Sequence, residues 1–225
     1  MKTRFCSSKI PIVLAVAVVS AWSAAAEDIK IFTDTGSIGG GSTNGLYLSG
    51  DAGMSIMQNM TSEGSVIQYH VGPRVDVRAG YALPQNIAVE LQGGFAYNGW
   101  SATDNRSIAP GNSANVWTAP VMANGVYRRS FNDRWQAYGG LGAGVLISTL
   151  NISEPGGPLN FTSTDCTFGY QAMLGVNCLI DEHLEWGVGY SFLGSLDHHW
   201  NDQSMGLKAS PTYMHSILVS LTYRF

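Results

Sequence analysis

The strongest constraint in this sequence is a series of eight segments in which apolar and polar residues alternate. Neighbouring side chains on a β-strand point to opposite faces, so each segment predicts a strand with one apolar face and one polar face. We therefore expect an all-β fold, an eight-stranded antiparallel up-and-down barrel. The segments span residues 46–57, 71–81, 87–100, 116–129, 135–149, 165–180, 184–193 and 212–225.

The connections between these segments alternate in length. Those after the second, fourth and sixth segments are short, with the sequences ALPQN, SFNDR and DEH, whereas the others are long and polar. Short turns at one end and long loops at the other are typical of a transmembrane β-barrel. In that architecture the apolar faces meet lipid and the polar faces line the interior. The alternative is a soluble lipocalin-like barrel, in which the apolar faces form a core.

The composition agrees with a membrane barrel. Only 12% of the residues are charged, which is about half the usual ~25% of a soluble domain. The mean hydropathy is +0.04, and a bundle of membrane helices would need several long apolar runs. The net charge of −4 does not suggest a nucleic-acid partner.

The first 26 residues have the pattern of a secretory signal peptide. Lys2, Arg4 and Lys9 precede the apolar run IPIVLAVAVVSAW, and three alanines then predict cleavage near Ala26. An uncleaved membrane anchor is the alternative. We expect residues 27–44 to be a flexible polar segment and residues 45–225 to form the barrel.

Aromatic residues on the predicted apolar faces gather near the two ends of the strands. Such girdles mark the height at which membrane meets water. The girdle residues are Tyr81, Tyr127, Trp135 and Trp186 near the short turns, and Tyr97, Trp117, Tyr190 and Tyr213 near the long loops.

The predicted polar faces carry four acids and four bases. Buried charges are costly unless they are paired, so a balanced set predicts an ion-pair network that plugs the barrel. A gated polar pore is the alternative. Inward glycines at positions 140, 142, 144, 187 and 189 leave room for water and a narrow leak. The charged residues are Asp51, Arg74, Asp76, Arg78, Glu90, Arg128, Glu185 and Arg224.

No residue pattern predicts a catalytic, metal or cofactor site. His215 and Ser216 are neighbours on opposite faces of one strand and cannot form a catalytic pair. One polar cluster, Asp197, His198, His199 and Asp202, would suit a metal or a base, but we expect it to be a solvated loop. Cys166 and Cys178 are twelve residues apart on one predicted strand, too far for a disulfide.

The segments PVMANGVYRR, WQAYGGLGAGV and ILVSLTYRF resemble the small outer-membrane barrel family, which includes the outer-membrane protein A barrel and the opacity-type surface proteins. The resemblance implies a protein of the outer membrane with lipid as its partner. It also implies that Tyr223 and Phe225 form the signal recognised by the barrel-assembly machinery. The chain departs from the outer-membrane protein A pattern in that nothing follows Phe225, so we expect no attached peptidoglycan-binding domain. The expected function is non-enzymatic, in membrane integrity or adhesion, with an unidentified host or surface ligand at the loops. A narrow channel and a lipid A-modifying barrel enzyme are the alternatives.

Overall fold

A computed structural model describes residues 45–62, 65–104, 106–107, 112–153, 160–201 and 206–225. The predicted signal peptide and the predicted flexible segment before residue 45 lie outside these ranges. Among the described residues no helix is long and apolar enough to cross a membrane.

The described residues form thirteen strands, eight of which make the barrel. The remaining five, β2, β3, β6, β11 and β12, are short and lie in the long connections. A single 3₁₀ turn occupies Pro84–Asn86. The strands are β1 (Gly45–Met57), β2 (Met60–Ser62), β3 (Ser65–Tyr69), β4 (Gly72–Ala82), β5 (Ile87–Thr103), β6 (Arg106–Ser107), β7 (Ser113–Ser130), β8 (Trp135–Ser153), β9 (Asn160–Leu179), β10 (Leu184–Ser195), β11 (His198–Asn201), β12 (Gly206–Ala209) and β13 (Tyr213–Arg224).

The barrel strands pair with their sequence neighbours and the last strand pairs with the first. Each neighbouring pair from β1 through β4, β5, β7, β8, β9 and β10 to β13 is antiparallel. Closure comes from β1 and β13, with Tyr47 opposite Arg224 and Met57 opposite Met214. A closed ladder satisfies the backbone hydrogen bonds of every strand, which is what a lipid environment requires. The predicted eight-stranded antiparallel barrel is confirmed.

Five of the eight barrel strands, β5, β7, β8, β9 and β10, extend further at the long-connection end than the sequence pattern predicts. For example, the segment predicted at 135–149 continues to Ser153, where it pairs with Asn160. Polar residues support this extension, because the hydroxyls of Thr149 and Thr164 are 2.9 Å apart across the two strands. Backbone pairing therefore continues beyond the region in which apolar and polar residues alternate.

Two of the short turns close in the same way. In one, the Asn132 side-chain oxygen accepts hydrogen bonds from the backbone N–H groups of Arg134 and Trp135, at 3.0 and 2.8 Å. In the other, Asp181 accepts from the N–H groups of His183 and Leu184, both at 2.8 Å. A short side chain that bonds the backbone two and three residues ahead fixes a tight turn between antiparallel strands.

The Asp181 turn gives a prediction about pH. Its two backbone hydrogen bonds lower the pKa of the exposed Asp181 carboxyl. Its contribution to stability is therefore full above the ordinary Asp pKa of about 3.9 and is lost as the pH falls through the lowered pKa of the folded state. We expect Asp181→Asn to lower the urea midpoint at neutral pH and to match the unsubstituted protein in strong acid. A difference that grew as the pH fell would contradict this account.

The eight charged side chains predicted for the interior and the large exposed apolar side chains of the barrel strands lie on opposite surfaces of the barrel. Polar and charged residues such as Asp51, Glu90 and Gln171 are buried inside. Large apolar residues cover the outer surface, and Leu141 on β8 is 73% exposed. A soluble barrel would bury its apolar residues and expose its charges, so this distribution matches a barrel surrounded by lipid.

Candidate functional site

The barrel interior is the part of the molecule in which chemically active side chains are concentrated. Arg78 on β4 is its central cation. Its guanidinium donates to both carboxylate oxygens of Asp51 on β1, at 2.7 Å each, and to Glu90 on β5 at 3.3 Å. It also donates to the Ser49 hydroxyl at 3.2 Å. A two-pronged contact of this kind holds arginine and carboxylate in one orientation.

Glu90 joins Arg78 to a second arginine. Arg128 on β7 donates to the Glu90 carboxylate at 3.1 Å, and the Tyr47 hydroxyl donates to the same oxygen at 2.5 Å. The Arg128 guanidinium lies 4.2 Å from the centre of the Tyr47 ring, in a cation–π contact. One carboxylate therefore links β1, β4, β5 and β7 near the short-turn end.

A separate ion pair lies nearer the middle of the barrel. Arg74 and Asp76, two residues apart on the inner face of β4, are joined at 2.9 Å. Arg74 also donates to the hydroxyls of Ser216 on β13 and Ser191 on β10, at 3.0 and 3.4 Å. These contacts reach strands two and three positions away around the barrel, so this arginine crosses part of the lumen.

The remaining two of the eight charged residues form an ion pair between β10 and β13. Arg224 on β13 forms an ion pair with Glu185 on β10. Asn177 donates to the other oxygen of Glu185 at 3.2 Å, and Arg224 donates to Gln136 at 3.4 Å. The structure thus brings all eight charged residues into ion pairs with opposite charges.

Three uncharged amides fill the space between the charged groups. Asn124 donates to the Gln92 oxygen at 3.0 Å, and Gln171 donates to Gln92 at 2.6 Å and to Asn124 at 3.0 Å. They connect β5, β7 and β9 across the lumen. This amide cluster closes the polar half of the interior.

The outer half of the interior contains a cluster of buried apolar side chains, which the sequence reading did not predict. The inward positions of several strands carry large apolar side chains here, and Met122 is fully buried. We call this group the apolar plug; Tyr69, Trp100 and Ile152 pack against it. It consists of Met57, Met60, Ala96, Val116, Met122, Leu146, Leu150, Phe161, Leu193 and Met214.

The inward glycines do not open a water path, and that expectation is corrected. A Cβ atom at Gly142 would collide with the Asn124 side chain, and one at Gly189 would collide with the hydroxyl of Tyr138. The glycines therefore make room for neighbouring side chains. A cavity of about 20 Å³, lined in part by Asp51 and Tyr138, lies among these side chains and is large enough for one or two water molecules.

The polar cluster predicted as a solvated loop is also corrected. His198 is 1% exposed, and its Nε2 lies 3.0 Å from the Ser195 hydroxyl while its Nδ1 lies 3.1 Å from the Asp165 carboxylate. Asp197 is exposed, His199 belongs to β11, and Asp202 lies outside the described residues. The cluster therefore divides: His198 turns into the barrel rim, whereas Asp197 is exposed.

The Ser195–His198–Asp165 arrangement has the connectivity of a hydrolase triad but not its hydrogen-bond direction. The Ser195 hydroxyl donates to the Leu196 carbonyl at 2.9 Å and accepts from the Thr212 N–H at 3.0 Å. With its hydrogen on Leu196, it can only accept from His198, whereas a nucleophile must donate its proton to the base. Ser195 is also 1% exposed. The arrangement ties the start of β11 to the barrel rim.

The eight predicted girdle residues all lie on the outward face. Those near the short turns are exposed, and Trp135 and Trp186 form an edge-to-face pair with ring centres 6.3 Å apart. Near the long connections, Trp117 lies 4.5 Å from the Tyr97 ring. Tyr223 and Phe225 lie at the end of the closing strand, with ring centres 5.1 Å apart. The rings thus occupy two heights on the outer surface.

Cys166 and Cys178 are not joined in a disulfide. Among the described residues, no group of three or more His, Cys, Asp or Glu side chains is arranged to hold a metal ion.

Comparison with known families decides the identity of the fold. The model of the outer membrane protein beta-barrel domain matches residues 12–225. This chain belongs to that family. Its membership places the barrel in the outer membrane, with lipid on the apolar surface. By the usual orientation of such barrels, the short turns face the periplasm and the long connections face outward.

Solved structures of other outer-membrane barrels share this fold at low sequence identity. The chain is similar to OprG from Pseudomonas aeruginosa, with 12% identity, a TM-score of 0.56, and coverage of 81% of this chain and 97% of OprG. AlkL, whose structure was solved in lipid bilayers, has 12% sequence identity and a TM-score of 0.54, and the match covers 87% of this chain and 97% of AlkL. Neisserial surface protein A has 12% sequence identity and a TM-score of 0.53, and the match covers 80% of this chain and 97% of that protein. A comparison with curated proteins gives no significant match.

Sequence reasoning missed two aromatic residues of the outer-membrane barrel's interior, Tyr47 and Tyr138. A signal for Tyr47 was available, because it shares the face of Ser49 and Asp51 on β1. A signal for Tyr138 was available too, because it shares the face of the inward glycines at positions 140, 142 and 144.

Proposed function

We propose that this protein is a sealed, non-enzymatic outer-membrane barrel that contributes to membrane integrity and presents its outer loops for adhesion. The observation that carries the proposal is the filled lumen. The ion pairs and the amide cluster occupy its periplasmic half, and the apolar plug occupies its outer half. The proposal includes the barrel-assembly machinery as a partner that reads Tyr223 and Phe225 during insertion.

The filled lumen argues against the alternative of a polar channel. An ion crossing the barrel would have to break buried ion pairs and then pass an apolar layer that does not hydrate it. Eight strands enclose an interior that side chains can fill. Here the cavity beside Asp51 and Tyr138 has a volume of about 20 Å³.

Conductance in planar bilayers tests the sealed barrel. We expect the reconstituted protein to give no stepwise current, with correct insertion shown by a heat-modifiable band on an unheated gel. The double substitution Met122→Ala and Met214→Ala thins the apolar plug and is expected to leak more. Uniform current steps from the unsubstituted protein would contradict the proposal and favour a narrow channel.

Serine labelling tests the non-enzymatic part of the proposal. The alternative is a lipid A-modifying enzyme that uses Ser195. Because the Ser195 hydroxyl donates to Leu196 and is buried, we expect no reaction with a fluorophosphonate probe and no change in the mass of lipid A incubated with the protein. Labelling that disappears in Ser195→Ala would overturn this part.

A further inference from the structure

A second candidate surface lies on the outside of the barrel, at the outward-facing end of β9, β10 and β13. Aromatic and imidazole rings form a continuous patch there, bordered by an amide at the end of β1. We call this patch the aromatic platform. It consists of Tyr170, Tyr190, Phe192, Tyr213 and His215, with Gln58 at its edge.

The strand register makes the platform continuous. Phe192 lies directly opposite His215, and Gly194 lies opposite both Tyr213 and Tyr170. The Phe192 ring is stacked near-parallel on Tyr213, at 6.0 Å and 17°. Its centre is 5.3 Å from the His215 ring and 6.3 Å from the Tyr170 ring. Three adjacent strands thus contribute rings to one surface.

A glycine flattens the upper edge of the platform. A Cβ atom at Gly194 would lie 2.5–2.7 Å from atoms of the Tyr170 ring and hydroxyl. Tyr170 therefore lies across the bare backbone of β10. An exposed ring covering a glycine in this way offers a flat face to whatever lies beside the barrel.

A chain of polar groups runs through the platform. Gln58 Nε2 lies 2.7 Å from His215 Nε2, and His215 Nδ1 lies 2.6 Å from the Tyr190 hydroxyl. With the Gln58 amide donating to Nε2, the imidazole carries its hydrogen on Nδ1 and donates to the Tyr190 oxygen. Within the described part of the chain, the Tyr190 hydroxyl hydrogen is then left for an outside acceptor.

The second aromatic group of the outer girdle provides a contrast. Phe95, Tyr97 and Trp117 on β5 and β7 pack ring against ring, with centres 4.6 and 4.5 Å apart. That group has the character of an ordinary girdle, in which aromatic rings rest at the membrane boundary. The aromatic platform adds an imidazole and an amide to the rings, and a girdle does not need them.

We propose that the aromatic platform binds the sugar headgroup of a glycolipid in the outer leaflet. A sugar ring presents C–H groups on its faces, which pack on aromatic rings, and hydroxyls at its edge, which exchange hydrogen bonds with groups such as Tyr190 and Gln58. The occupant is lipid-anchored because the platform continues the lipid-facing surface established for this barrel. This site lies outside the lumen, so it does not depend on whether the lumen conducts.

Native mass spectrometry tests the site. The probes are deep-rough lipopolysaccharide and phosphatidylglycerol, added separately to the folded protein in detergent. The test variant carries Tyr190→Phe and His215→Leu, and the matched control carries Tyr97→Phe and Trp117→Leu. We expect the test variant to bind lipopolysaccharide about tenfold more weakly, as the loss of hydrogen bonds to a polar ligand implies, and the control to bind it as the unsubstituted protein does.

Three results would overturn the proposal. The first is equal affinity of the unsubstituted protein for lipopolysaccharide and phosphatidylglycerol. The second is an equal loss of lipopolysaccharide affinity in the test and control variants. The third is binding of the free core oligosaccharide, without its acyl chains, as tight as that of lipopolysaccharide. The unheated gel shows whether each variant is folded, so loss of binding is separated from loss of the barrel. Conductance is measured independently, so failure here leaves the sealed lumen standing.

Discussion

Replacing Glu90 with alanine is expected to destabilise the barrel by about 3–5 kcal/mol, the usual cost of removing one partner from a buried ion pair. Glu90 is the only carboxylate among the described residues in an ion pair with Arg128, and it also accepts the Tyr47 hydroxyl. Arg128 would keep the Tyr47 ring but would be left as an uncompensated buried charge. Urea unfolding of the protein in lipid vesicles measures the loss.

A double-mutant cycle separates the ion pair from other effects of the substitution. Arg128→Leu combined with Glu90→Ala removes both charges. The free energy of unfolding of the double variant is therefore expected to fall by less than the sum of the decreases in the two single variants. Glu90→Gln is the closest control, since it keeps the shape and an acceptor for Tyr47 while removing the charge. A Glu90→Ala protein about as stable as the unsubstituted one, within ~0.5 kcal/mol, would contradict the network described here.

Replacing Val219 with arginine is expected to cost about 2–4 kcal/mol, because it places a charge on the lipid face near the bilayer midplane. Val219 lies at the middle of β13, between Val188 and Ala52 on the neighbouring strands. A soluble barrel with this side chain in water would tolerate the same change. Urea unfolding in vesicles again measures the effect.

A matched arginine at the membrane edge provides the control. Ile180, in the short turn after β9, is 58% exposed, compared with 56% for Val219. At the membrane edge an arginine side chain reaches water, so Ile180→Arg is expected to lower the free energy of unfolding by about 0–1 kcal/mol. Equal costs at the two positions would show that exposure alone, rather than depth in lipid, sets the penalty.

The sequence predicted the barrel because the rules that govern its strands are local. Alternation along β4, with Arg74, Asp76 and Arg78 on one face, fixes which side chains share a face without knowledge of any partner. The alternation of short turns and long loops then fixes the order of the strands. These signals repeat eight times, so one irregular strand does not mislead the reading.

The interior was harder to predict because its contacts join residues far apart in the chain. The charges were available as a balanced set, but pairing Glu90 with Arg128 depends on the shape of the closed barrel. The apolar plug was missed since Met57 and Met214 lie where alternation fades, and apolar residues there resemble the ends of outward faces. Sequence spacing does not show which way such a side chain turns.

The outer rim escaped prediction for a different physical reason. His198 belongs to a long connection, and its contact with Asp165 joins residues 33 positions apart. A run such as DHHWND is polar, so its composition predicts exposure to water. Burial of one histidine depends on how the connection folds back over the barrel, and local composition does not determine that.

The central claim is that the apolar faces meet lipid and the polar faces line the lumen. Nitroxide scanning of residues 216–221 on β13 tests it most directly, after Cys166 and Cys178 have been replaced with serine and folding has been checked on an unheated gel. In lipid vesicles we expect collisions with dissolved oxygen to peak at Ile217, Val219 and Leu221 and to fall at the residues between them. Peaks at the intervening residues, or high access of a water-soluble nickel chelate at Val219, would contradict the lipid-facing assignment.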